Sequence, residues 1–194
     1  MPYDIYRNGR MEGDEPIITV DSDTLGGADL RKAYLNNANL TCAYLTEANL
    51  SDADLTGANM YGANLTGAYM YGVNLTGANL AGADLTGASM VVADLKEANL
   101  TGTILPNGET FEYFVQHTVP WLLTAGGKPL EEVASDKNWD CHSWDNCPIA
   151  VAFRTNNTAG VPEEYRDDAG LFIALFDAGL IPRPVTTGDN QDAV

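Results

Sequence analysis

One segment of this 194-residue chain carries the residue types of site chemistry: Trp139-Asp140-Cys141-His142-Ser143-Trp144-Asp145-Asn146-Cys147-Pro148. Cys141, His142 and Cys147 are zinc-ligand types, and His117, the other histidine of the chain, is the natural fourth candidate. The spacing argues against a metal. Adjacent Cys-His followed by a gap of four residues is not a standard zinc arrangement. Nor does a separate general base stand out that would activate either thiol as a nucleophile. The segment therefore reads as packing and helix capping, with metal binding and catalysis as the lesser alternatives. No catalytic residue and no cofactor is assigned, and the chain is expected not to be an enzyme. With Cys42, the three cysteines are too few for a disulfide framework and read as thiols in a reducing compartment.

The elements that would position such a segment are set by a repeat upstream of it. From Leu25 to Leu105 every fifth residue is Leu or Met, seventeen in succession. Two positions earlier stands a small residue, Ala throughout 28–98 except Val73, and Thr-Gly often follows. A period of five suits neither regular element. On a helix five residues turn about 500°, so the apolar series drifts by about 140° per repeat and makes no stripe. On a flat strand an odd period throws successive leucines to opposite faces. The pattern is consistent only if the chain turns a corner every five residues, so that each Leu or Met points inward, each Ala fits beside it, and Gly eases the corner. Four corners close a coil of twenty residues, with successive coils about 4.8 Å apart.

The triplets Ala28-Asp29-Leu30, Ala38-Asn39-Leu40, Ala53-Asp54-Leu55 and Ala78-Asn79-Leu80 resemble the consensus A-(D/N)-L-x-x of the pentapeptide-repeat family. The resemblance implies a mainly β fold, a right-handed quadrilateral β-helix. Reading at intervals of twenty gives the four sides. Leu25, Leu45, Leu65, Leu85 and Leu105 stack on the first, and Leu30, Leu50, Met70 and Met90 on the second. Leu35, Leu55, Leu75 and Leu95 form the third, and Leu40, Met60, Leu80 and Leu100 the fourth. The outward column of the fourth side, Asn39, Asn59, Asn79 and Asn99, is expected to form an amide ladder. Tyr34, Tyr44, Tyr61, Tyr69 and Tyr71 fall on non-core positions, where they either face a partner or cover coil edges.

An open coil stack needs a cap at each end. Residues 1–24 are expected to supply the first, with Asn8-Gly9 as a hairpin signal and Ile17-Ile18-Thr19-Val20 as a strand leading into the repeats of 25–105. From Pro106 the period vanishes and aromatic residues appear, which predicts a small, mostly α-helical module over 106–184 and a disordered tail over 185–194. Its clearest helix runs from Pro162 to Ala178, with Leu171, Phe172, Leu175 and Phe176 as the apolar stripe. Glu163 and Glu164 complement the dipole, and Gly179 ends the helix. Shorter helices are expected over Asn146–Phe153 and Pro129–Ala134.

Net charge limits the function classes. The chain carries −17, which disfavours direct binding of nucleic acid or of anionic membranes. No apolar run approaches the roughly 18–20 residues that span a bilayer. The opening MPYDIYRNGR lacks the features of a secretory leader, so a cytoplasmic protein, or part of a larger assembly, is expected.

The best-known branch of the resembling family consists of acidic coils that imitate B-DNA and occupy DNA gyrase or topoisomerase IV. Here residues 25–105 hold seven acids and three bases, a net of −4, whereas 106–194 carry −9. A four-coil stack is about 20 Å long, and DNA of that length bears about 12 phosphate charges. The sequence therefore reads first as a structural or interaction protein that engages a protein partner, with self-association through the C-terminal module as a further possibility. An acidic inhibitor or protector of gyrase is the alternative.

Overall fold

The backbone of the central segment bends at each fifth residue, always through the left-handed region. From Gly27 to Gly102 every residue at this position has φ between 52° and 68°, whether or not it is glycine. The bend closes a β-turn in which the small residue donates its N–H to the carbonyl of the apolar residue three before it. Ala63 donates to Met60 at 3.0 Å and Ala78 to Leu75 at 2.9 Å. The residue before each apolar position supports the following turn from its side chain. Asp54 Oδ1 accepts from the Thr56 N–H at 3.0 Å, Asn64 from Thr66 at 3.0 Å, and Asp84 from Thr86 at 2.9 Å.

Isolated parallel bridges then join residues twenty apart, from Asp29 and Asn49 to Asp84 and Ile104. Each bridge is carried by alternating bonds, such as Leu65 N–H to Asp84 O (2.7 Å) and Asp84 N–H to Ala63 O (2.9 Å). Five residues per bend and twenty per bridge give a four-sided coil. Inside it Leu25, Leu45, Leu65, Leu85, Met60 and Met70 are fully buried, and Met90 is nearly so. Each such burial contributes roughly 1.5–3 kcal/mol before chain entropy is counted. In the last coil Thr103 takes the small-residue slot, and its buried hydroxyl donates to Leu80 O at 2.8 Å.

This computed structural model describes residues 3–6, 15–20, 24–133, 148–153 and 158–182. The chain divides into two compact units, Met1–Glu112 and Tyr113–Val194. Within the first unit β1 (Tyr3–Ile5) pairs antiparallel with β2 (Ile18–Val20), Tyr3 opposite Val20. That register needs a connection far longer than the two-residue loop suggested by Asn8-Gly9, which lies outside the described residues. Ile5 is fully buried, and Tyr6 O accepts the first-coil N–H of Asn39 at 2.6 Å, covering an edge group that has no coil above it.

At the other end the chain doubles back after Leu105 instead of leaving the stack at Pro106. Leu105 N–H donates to Glu109 O, Phe111 N–H to Thr103 O, and Gly102 N–H to Glu112 Oε1 (2.8 Å). Residues 106–112 thus belong with the solenoid that the repeat alone ends at Leu105.

The second unit is helical where it is described. The helical run comprises α1 (Phe111–Tyr113), whose first two residues belong to the first unit, a π-helical segment Phe114–Thr118 and α2 (Val119–Ala125). Local sequence gives little sign of this run. Val, Thr and Pro120 speak against a helix locally; the structure accommodates Pro120, which has no N–H to give, near the start of α2. The helix widens just before it, with Val119 N–H donating to Phe114 O.

α3 (Leu130–Val133) and α4 (Pro148–Phe153) pack on α2, as does α5 (Arg166–Asp177). A Cβ on Gly126, at the end of α2, would stand 1.8 Å from Ala152 O, so no larger residue lets α4 approach this closely. α5 is preceded by a 3₁₀ turn at Glu163–Tyr165, so the helix expected from Pro162 becomes regular only at Arg166. It buries Ala169, Phe172, Leu175 and Phe176, and Gly179 at φ 71° closes it with Leu180 N–H donating to Leu175 O.

Two measurements check the coil. Leu65→Ala is expected to cost about 2–5 kcal/mol in urea unfolding, since the other three sides and the coils on either side cannot collapse onto the void. Val92, a β-branched residue at φ 52°, occupies a corner that glycine fills at lower strain. Val92→Gly is therefore expected to stabilise by about 1 kcal/mol in the same assay.

Candidate functional site

The sequence-singled zinc candidates Cys141, His142 and Cys147 lie outside the described residues. His117 is described. It sits exposed in the π segment, its ring stacked on Tyr113 at 4.3 Å, with Nδ1 3.2 Å from the Tyr113 carbonyl oxygen. Among the described residues no three His, Cys, Asp or Glu side chains group as a metal site would require. Cys42 is an exposed free thiol at a coil corner.

The five tyrosines of the coil are 54–77% exposed, but they do not form one stripe. The twenty-residue bridges place Tyr44 on the first side, Tyr69 and Tyr71 on the second, Tyr34 on the third and Tyr61 on the fourth. Tyr69 and Tyr71 share a side, and one coil further along it stand Val91 and Val92, 60% and 67% exposed. These four side chains make the apolar patch of the solenoid. Sequence reasoning missed the two valines, although a signal was present: Val91-Val92 stands where other repeats have Thr-Gly.

Three of the seven acids of the coil are tied to turns. Asp54, Asp84 and Asp94 each accept the N–H two residues on, which is the role Asn64, Asn74 and Asn99 fill elsewhere. Hydrogen bonds from the Thr86 hydroxyl and N–H hold the Asp84 carboxyl below the ordinary carboxylate value. On the fourth side two steps of the amide ladder form, Asn79 Nδ2 to Asn59 Oδ1 (3.1 Å) and Asn99 Nδ2 to Asn79 Oδ1 (3.2 Å). Asp29 is neutralised by Arg31, whose Nε and Nη2 donate to its two oxygens at 2.8 and 2.6 Å.

With this geometry in view, the comparisons with known proteins fall on the coil. Residues 28–67 and 68–107 each match the family model of pentapeptide repeats in 8 copies. This segment is a pentapeptide-repeat solenoid. It resembles three solved pentapeptide-repeat proteins. HetL of the cyanobacterium Nostoc sp. strain PCC 7120, involved in heterocyst differentiation regulation, is 38% identical over 45% of this chain and 42% of its own, with a TM-score of 0.37. A protein of the Arabidopsis thaliana thylakoid lumen is 33% identical over 42% of this chain and 52% of its own (TM-score 0.35). Rfr23 of the cyanobacterium Cyanothece 51142 is 41% identical over 34% of this chain and 48% of its own (TM-score 0.30). The chain thus spans about half the length of these relatives or less. No curated protein matches it. No helix among the described residues is long and apolar enough to cross a membrane.

The Asp29–Arg31 pair gives a direct check. The side-chain hydrogen bond from Arg31 brings the Asp29 carboxyl down to about 2 from 3.8, so the pair is fully formed above the ordinary carboxylate value, persists below it, and is lost as pH falls through about 2. Carbon-detected NMR should place the Asp29 midpoint there, and Arg31→Gln should return it toward 3.8. An unshifted midpoint in the native protein would mean the pair does not form in solution.

Proposed function

We propose that the chain is a non-enzymatic interaction scaffold, in which a right-handed quadrilateral β-helix holds a flat contact side toward a protein partner. Residues 1–24 cap the coil, and the module after it serves as a second contact element or a self-association point. The observation that carries this reading is the patch of Tyr69, Tyr71, Val91 and Val92. Aromatic residues are enriched at protein interfaces. Val92 additionally keeps an unfavourable backbone conformation at an exposed corner, where core packing gives no reason for it. Tyr34, Tyr44 and Tyr61 extend the partner-facing set to the other sides.

Imitation of DNA toward gyrase or topoisomerase IV is the second reading, favoured by the net charge of −17. Against it stand a coil net charge of −4 and the engagement of Asp54, Asp84 and Asp94 in turns, which sets their spacing by the repeat and not by phosphate geometry.

Restoring the repeat pattern with Val91→Thr/Val92→Gly leaves the coil intact and removes the two valines of the patch. Native mass spectrometry of affinity-purified protein is expected to show a defined complex for the natural chain and its loss in this variant. A partnerless monomer in both cases would overturn the scaffold reading, and inhibition or protection of gyrase supercoiling at micromolar protein would replace it with the second.

A further inference from the structure

The second unit carries an aromatic face whose exposure neither the repeat nor the helix packing explains. Tyr113, His117 and Trp121 recur at four-residue intervals along the helical run Phe111–Ala125, so they share one side of it. Tyr113 and Trp121 remain about half exposed, at 50% and 51%. The Trp121 ring meets Tyr165 at 5.1 Å, and Tyr165 meets Phe153 of α4 at 5.5 Å, so three helical segments contribute to one aromatic array.

Carboxylates flank Tyr165 along the chain. Glu163 and Glu164 precede Tyr165 directly, Asp167 follows two residues later, and all three are exposed. Among the described residues none of the three is ion-paired. The one base in this stretch, Arg166, is turned to the backbone, donating from Nε to Val161 O at 2.9 Å and from Nη2 to Ala159 O at 3.2 Å. Acids at the start of α5 do favour its dipole. That accounts for their sign, but not for the exposed rings beside them.

We infer that this face binds a Lys- and Arg-rich segment of a partner protein. Ring faces attract cations, and their edges and planes accept the aliphatic stems of long basic side chains; exposed carboxylates supply the opposite charge. The sign of the surroundings agrees, since Tyr113–Val194 holds twelve acids and five bases. It also excludes the chain's own last residues as the occupant. Residues 183–194 carry Asp189 and Asp192 against Arg183 alone, the wrong balance for an acid-bearing surface. The inference rests on the scaffold reading and adds a place and a chemistry to it.

The test uses the full chain and the synthetic peptide (Arg-Lys-Ala)3, titrated by calorimetry in salt of about 0.15 M, where charges beyond about 8 Å are screened. Binding is expected, and both Trp121→Ala and Glu163→Gln/Glu164→Gln/Asp167→Asn are expected to weaken it about tenfold or more. The carboxylate variant keeps the test decisive should Trp121→Ala disturb folding. Asp54→Asn/Asp84→Asn/Asp94→Asn changes the net charge equally while keeping the turn acceptors, and should leave affinity unchanged. Equal losses in the two charge variants would reduce the effect to overall acidity and overturn the inference, as would no binding by the natural chain. If the peptide fails while the patch of Tyr71 and Val92 still governs complex formation, the scaffold reading stands and only this inference falls.

Discussion

A coil that returns on itself in twenty residues needs a left-handed backbone residue at every fifth step. The rest of the solenoid follows from meeting that need sixteen times in a row. Glycine meets it at little steric cost, and it fills most of the middle corners. The first coil instead uses Lys32, Asn37 and Cys42, and the last uses Val92 and Glu97. Glu47 and Asp52 extend the set into the second coil. A Cβ on Gly57 would come within 2.7 Å of Asn37 Oδ1, so the Asn37 side chain leans over the corner one coil on and would have to shift to admit a larger residue there.

The same constraint explains why the acidic composition says little about function in the coil. Each bend leaves an N–H that must be satisfied, and Asn or Asp before the apolar residue satisfies it equally well from Oδ1. Choosing Asp over Asn changes charge without changing architecture. Negative charge on the solenoid is therefore partly a by-product of turn chemistry, and the side chains that turn chemistry does not explain are the better guide to contacts. On the coil these are the exposed tyrosines and valines. In the second unit they are Trp121 and its neighbouring rings.

Much of the coil could be read from the chain because its interactions repeat. Leucines at a spacing of five admit few backbones, and alanine beside each of them narrows the choice further. A feature that occurs once is harder to see in the chain. Asn8-Gly9 is a sound local turn signal, yet the partner of Tyr3–Ile5 is chosen by pairing with Ile18–Val20 and by the need to cover Asn39. The helix over Phe111–Ala125 was obscured by Pro120, whose effect depends on a π-helical widening that no single residue announces. The aromatic face was similarly hidden, because Trp121, Phe153 and Tyr165 are far apart in sequence and meet only through helix packing.

The twenty-residue bridging also fixes how such a chain can change length. Gaining or losing one residue within the repeats would turn every later leucine off the axis, whereas a gain of five keeps them pointing inward. Five added residues, however, complete only a quarter of a circuit. They advance the stack by about 1.2 Å while rotating the point of chain exit by about 90°. Repeat number in this architecture is thus an angular dial as much as a ruler: duplication of a single pentapeptide re-aims whatever is attached downstream, and only multiples of four restore its bearing.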